Sequence, residues 1–236
     1  MKKWIAILLS LVMVLALAAC ISEAGTDETD AAVEGMTHEE YAAAAVDKAV
    51  TVVTYVQAHQ SWWDDKITVY CQSPDGAYFV YDMACSEEDA AKLEAGTCIC
   101  VTGYKSEWSG EVEITDATFE FVDADPYVAE AVDLTELLGT DELIDHQNEY
   151  ATLTGLTVVS LSYKESESDP DIYLTVSYGD TNYDLCVENY LTGPDTEVYQ
   201  AVAGLQEGDV ISATGYLYWY NGLNMHITGV TTAAAE

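Results

Sequence analysis

Hydrophobic and polar residues alternate with a period of two over the first long run beyond the N-terminal segments of this chain. From Ala49 to Ala58 the run is rich in Val, Thr and Tyr, the mark of a half-buried strand. Ile67 to Cys71 and Ala77 to Met83 read as two more strands, joined by Ser73-Pro74-Asp75-Gly76. That tetrapeptide carries its own mechanism, since Pro presets φ and Gly accepts positive φ. Ser86-Glu87-Glu88-Asp89 opens a short helix through Leu93, with acids at its positive end, and Ala95-Gly96 closes it. Thr97 to Tyr104 and Glu111 to Val122 complete the set as a fourth and a fifth strand.

The same order then recurs. Strands are predicted over 151–163, 171–178, 181–187, 209–217 and 223–230, with a helical stretch at 195–205 between the third and fourth. Self-comparison explains why. The segment from Leu93 to Tyr104 recurs as Leu205 to Tyr216, with Leu, Gly, Ile, Thr, Gly and Tyr coinciding at a spacing of 112 (205 − 93), and Gly110 matches Gly222 at the same spacing. One residue of insertion later, Ile114-Thr115 and Thr118 match Ile227-Thr228 and Thr231. Three strands, a helix and two strands is the order of the OB fold, a small five-stranded barrel. The fold class expected is therefore mainly β: two tandem OB-fold barrels, each with a helix between strands three and four. On the segments Gly96–Tyr104 and Gly208–Tyr216, each module resembles the tRNA-anticodon-binding-like OB domains found in lipoproteins of gut Clostridia.

The flanking segments pattern differently. Thr37-His38-Glu39-Glu40 is a capping box opening a helix through Val46. Between the modules, Leu134, Leu137, Leu138 and Ile144 fall at roughly helical spacing, predicting a helical connector over 123–149. At the N-terminus, Lys2-Lys3 precedes an apolar run from Trp4 to Ala19. Sixteen residues fall short of the about 20 that span a bilayer and fit a signal peptide. The run ends Leu17-Ala18-Ala19-Cys20, which resembles the lipobox of bacterial lipoproteins. That resemblance implies cleavage after residue 19, acylation of Cys20 and anchoring in the cell membrane on its extracytoplasmic face. Residues 20–36 are acidic, small and aperiodic, as in a disordered tether. The expected domains are thus 1–19, 20–36, 37–122, 123–149 and 150–231.

Charge narrows the chemistry. The chain has 42 Asp and Glu against seven Lys and no Arg, a formal charge of −35. Without residues 1–19 the charge is −37, from 5 Lys and 42 acids. Contacts to many phosphates need clustered cations, so nucleic acid is the disfavoured partner on this reading. Beyond Cys20, five cysteines remain, an odd number with no Cys-x-x-Cys pair. They read as small buried apolar residues, with a disulfide between strands left open. No catalytic, metal or cofactor motif is present: His38, His59, His146 and His226 are scattered, and adjacent acids are inevitable at this composition.

OB barrels bind on strands two and three, flanked by the loops joining strands one to two and four to five. In the first module those loops hold Trp62, Trp63, Asp64 and Asp65, and then Lys105, Glu107 and Trp108; in the second, Tyr218, Trp219, Tyr220 and Asn221. The candidate ligand-binding set is Trp62, Trp63, Asp64, Trp108, Tyr218, Trp219, Tyr220 and Asn221. Rings beside carboxylates and amides suit a glycan or a basic peptide or protein; the alternative is that they plug the barrel ends as core. The expected function is a non-enzymatic, surface-anchored binding lipoprotein. The alternatives are a structural or assembly subunit of an envelope complex, or an OB-fold nucleic-acid binder.

Overall fold

A computed structural model describes residues 35–164 and 170–233. The expected signal peptide, Cys20 and most of the expected tether lie outside the described residues. Among the described residues, no helix is long and apolar enough to cross a membrane.

The alternating runs form strands close to where their period places them. The first half contains β1 (Ala49–His59), β2 (Lys66–Ser73), β3 (Gly76–Ala84), β4 (Cys98–Trp108) and β5 (Glu111–Phe121). These close a barrel in the order β1-β2-β3-β5-β4, with only β3 and β5 running parallel. Helix α1 (His38–Ala43) precedes the barrel and α2 (Glu87–Ala90) lies between β3 and β4. The capping box of α1 is complete: Thr37 Oγ1 accepts from Glu40 N, and Glu40 Oε2 accepts from Thr37 N. Tyr41 of α1 is buried in the barrel core with Val52, Val69, Met83, Leu93, Ile99 and Val101.

The second half contains β6 (Val132–Asp133), β7 (Tyr150–Tyr163), β8 (Ile172–Tyr178), β9 (Thr181–Val187), α3 (Glu197–Ala203), β10 (Val210–Tyr216) and β11 (Asn224–Thr232). The sheet order is β10-β11-β9-β8-β7-β6, and β10 also pairs with β7. The pairing around β7, β8, β9, β11 and β10 repeats that of the first half, including a parallel pair, β9 with β11. Leu153, Leu174, Val187, Val202, Ile211 and Ile227 fill its interior.

The repeated Thr-Gly-Tyr has a steric cause. β4 and β5 slip register between Thr102 and Tyr104, and β10 and β11 slip between Thr214 and Gly215. At these bulges the facing strand crosses the glycine closely. A Cβ on Gly103 would come within 2.7 Å of Ile114 Cγ2 and Thr115 O, and one on Gly215 would overlap the carbonyl of His226. Only glycine permits that approach.

The connector departs from expectation. Instead of α-helices it forms the two-residue β6 and two short 3₁₀ turns, Thr135–Leu137 and Leu143–His146. Leu134, Leu138 and Leu143 are buried in the second core while Ile144 is exposed, so their near-helical spacing reflects successive turns laid on one surface. All five described cysteines are buried and free.

Candidate functional site

The two halves meet through β2 and β3 of the first barrel and the end of β10 with the residues after it in the second half. Tyr70 of β2 and Phe79 of β3 pack against Tyr216 and Tyr218 from the second half. The Tyr70 and Tyr216 rings stack at 4.6 Å, Phe79 meets Tyr218 edge-on at 5.1 Å, and Tyr218 stacks on His226 of β11 at 4.2 Å. Tyr70 Oη lies 2.5 Å from His226 Nδ1 and also accepts from Gln60 Nε2. Burial drives the histidine pKa down to about 3 and the tyrosine pKa well up, so both stay neutral. The phenol therefore donates to Nδ1, and the histidine proton sits on Nε2.

A second seam joins the β4–β5 turn to the segment before β11. Ser109 and Asn221 both have left-handed backbones, at φ 54° and 57°. Asn221 N donates to Ser109 O at 2.6 Å, and the Trp108 and Tyr220 rings lie 5.2 Å apart. Trp219 N donates to Glu111 Oε2 at 2.8 Å. Glu111 is fully buried, and burial raises its pKa to about 8 against the opposing pull of the Trp219 N–H. Gln147 and Asn148 fasten the same turn, with Gln147 Nε2 donating to Gly110 O and Asn148 Nδ2 to Val112 O.

Between these seams the two halves stay apart and leave a cleft of about 950 Å³. One wall is Phe79, Tyr81 and Glu113 with Trp108 at its rim. The other is the outer face of β8, β9 and β11. Tyr173 pairs with Cys186, Thr175 with Asp184, Asn224 with Asp184 and His226 with Cys186, so these residues form one two-dimensional array. Tyr218, Tyr220, Gln60, Lys164, Asp171 and Glu188 complete the lining. The surface is aromatic and carries four carboxylates, Glu113, Asp171, Asp184 and Glu188. Lys164, 3.6 Å from Asp171, is the one lysine that lines it among the described residues. Burial, reinforced by Asp171, raises the Glu188 pKa to about 7, and burial also raises that of Glu113. Asn224 is 9 % exposed, and its Oδ1 has no hydrogen-bond partner.

The expected site residues divide. Trp108, Tyr218 and Tyr220 line this cleft. Trp62, Trp63 and Asp64 line a neighbouring hollow of about 580 Å³ that shares Gln60 and Tyr81 with it. Within that hollow Trp63 is 79 % exposed, whereas Trp62 is half-buried and its Nε1 donates to Cys85 O. Trp219 is a core residue of the second half, 8 % exposed. Together with Asn221 and Tyr220 it borders a third hollow beside Gly139 and Ile144. Lys105, expected in a binding loop, is buried: its Nζ donates to the carbonyls of Tyr41, Ala42 and Ala44 at the end of α1. Tyr81, Glu113, Asp184, Glu188 and Asn224 were not expected in the site. Their alternation in strands marks one face as outward without showing what it faces. Among the described residues, no group of three or more His, Cys, Asp or Glu is placed to hold a metal ion.

No known protein family matches this sequence, and no curated protein does. Solved structures do. The chain is similar to a murine DNA-binding protein bound to double-stranded DNA, at 13% identity over 79% of this chain and 97% of that one, TM-score 0.37. It is similar to a Replication Protein A heterotrimer bound to single-stranded DNA, at 14% identity over 81% of this chain and 50% of that one, TM-score 0.33. A deletion mutant of the single-stranded DNA-binding protein from Thermus aquaticus matches at 12% identity over 80% of this chain and 95% of that one, TM-score 0.29. The likeness is one of fold. These proteins bind DNA, which runs against two expectations: that nucleic acid is the disfavoured partner, and that the ligand is a glycan or a basic segment. Neither is carried further.

Proposed function

We propose that the protein is a non-enzymatic binder of nucleobases, as nucleosides or in single strands, and that the bases enter the cleft between its two halves. The observation that carries this reading is convergence. In the first barrel, β3 and the β4–β5 turn face the cleft; in the second half, β8, β9 and the β10–β11 connection do so. Reading the second half as another OB barrel, which rests on β10 pairing back onto β7, makes these the ligand elements of both modules. Aromatic rings offer stacking platforms worth about 1–3 kcal/mol per base. The scarcity of cations and the charge of −35 leave the phosphates outside, so recognition runs through the bases.

The anchor at Cys20 and the extracytoplasmic location remain part of the proposal, carried by the Leu17-Ala18-Ala19-Cys20 run. Calorimetric titration of the full-length protein with uncharged nucleosides tests the function. The expected result is saturable binding that Trp108→Ala weakens at least about tenfold, as loss of one stacking platform requires. Absence of binding by every nucleoside, or binding unaffected by Trp108→Ala, contradicts the reading.

A further inference from the structure

We infer that the cleft favours bases with a fixed positive charge, those methylated at a ring nitrogen, over their neutral parents, and that Glu113 is the counter-ion. This rests on the nucleobase reading above and adds the class of base to it.

The lining of the cleft is one-sided in charge: the four carboxylates face one lysine, Lys164, which lies 3.6 Å from Asp171. Three of the acids already accept hydrogen bonds from the protein. Asp184 Oδ1 accepts from Thr175 Oγ1 at 2.8 Å, Asp171 Oδ1 from Asn189 N at 3.0 Å, and Glu188 Oε2 from Leu191 N at 2.9 Å. Groups able to donate, Ser162, Trp108 and His226 among them, also line the cleft, so hydrogen bonding by itself favours no base edge. The imbalance is one of charge.

Glu113 stands out among the four. It is 7 % exposed, and its side chain has no hydrogen bond and no ion pair among the described residues. Its oxygens nonetheless stay open, unlike the enclosed Oε1 of Glu111, and the cleft is the hollow that Glu113 lines. Burial first, and then the charge of Asp82, raise its pKa. The nearby lysines are committed elsewhere: Lys105 of the neighbouring β4 to carbonyls at the end of α1, and Lys66 to Asp82 at 3.3 Å. A desolvated carboxylate without a partner is costly, and a cation brought by a ligand offsets that cost.

The rings around Glu113 suit the same charge. Phe79 pairs with Glu113 in register, the Tyr81 ring lies 6.5 Å from that of Phe79, and Phe79 meets Tyr218 edge-on. Tyr81 and Trp108 are about half exposed and line the cleft with them. The face of an aromatic ring attracts a cation, and more strongly once water is displaced. A base methylated at a ring nitrogen stacks as its parent does and adds a positive charge spread over its ring. A neutral base gains the stacking alone. The pair 1-methyladenosine and N6-methyladenosine isolates this difference, because both carry one added methyl group and only the first is a cation at neutral pH.

The test is calorimetric titration of the full-length protein at neutral pH with 1-methyladenosine, N6-methyladenosine and adenosine, at low and at physiological salt, repeated on Glu113→Gln. The expected result is that 1-methyladenosine binds at least about tenfold tighter than either neutral nucleoside, and that this advantage shrinks as salt rises. Glu113→Gln, which keeps the shape and removes the charge, reduces the advantage to within about threefold. Circular dichroism reports whether the variant folds; if it does not, the salt dependence of the wild-type protein decides. Equal binding of all three, an equal gain with N6-methyladenosine, or an advantage that salt leaves unchanged overturns the charge selectivity while leaving nucleobase binding intact. An advantage that survives Glu113→Gln overturns the role of Glu113. Failure of every nucleoside to bind overturns both this inference and the nucleobase reading.

Discussion

Trp108 and Tyr220 lie 112 residues apart in the sequence, the spacing of the internal repeat, and their rings meet 5.2 Å apart. Equivalent turns of the two halves thus touch each other, reinforced by the bond from Asn221 N to Ser109 O. Both rings are about half exposed, at 54 % and 49 %, and both line the cleft. An aromatic pair of this kind contributes about 0.5–1.5 kcal/mol. Trp108→Ala should therefore lower the unfolding free energy by about 1 kcal/mol while removing most nucleoside affinity. Chemical denaturation and calorimetry on one preparation separate the two effects. A large stability loss with unchanged affinity would place Trp108 among the structural residues.

The bond from Tyr70 to His226 joins residues 156 apart and crosses between the halves. Tyr70→Phe keeps the stack on Tyr216 but leaves the histidine Nδ1 and the Gln60 amide without their buried partner. The expected cost is about 1–3 kcal/mol, read as a lower midpoint in urea with an unchanged slope. If the halves instead melt in two steps in the wild type, this bond does not couple them.

Two buried groups shape stability against pH with opposite signs. Glu111 has its pKa raised by burial from 4.5 to about 8, so between those values the folded protein holds a proton that the unfolded chain has released. Stability therefore falls as pH rises from about 4.5 to about 8. His226 has its pKa lowered by burial from 6.5 to about 3, so there the unfolded chain holds the extra proton, and stability falls as pH drops through that window. Glu111→Gln should flatten the alkaline limb of a melting profile and leave the acid limb in place. An unaltered alkaline limb would show that Glu111 does not titrate in that range.

Lys105 secures α1 from beneath, donating to three carbonyls at 2.8–3.0 Å. Lys105→Met keeps the aliphatic stem and orphans those carbonyls. A destabilisation of about 2 kcal/mol is expected, with hydrogen exchange of the Ala44 amide faster than in the wild type. Unchanged protection of that amide would mean that the capping box alone holds α1.

Strand positions were legible where a period of two survives, as along β1 and β8; β9, expected over 181–187, spans Thr181–Val187 although its burial does not alternate. The repeat was legible because Gly103 and Gly215 answer the same steric demand. The connector was misread because Leu134, Leu138 and Leu143 owe their burial to the second core and not to a common helix. Trp219 and Lys105 look like loop residues locally, and only tertiary packing buries them. The cleft itself left no local signal. Its walls come from β3 and β5 on one side and β8, β9 and β11 on the other, and nothing along the chain records that these faces meet.

The salt dependence of binding to a short single-stranded oligonucleotide tests the central claim most directly. If bases enter the cleft while phosphates stay outside a protein of charge −35, affinity should hold or rise from low to physiological salt, as screening relieves repulsion. Affinity falling steeply with salt would mean that phosphates are neutralised elsewhere, and would contradict the account.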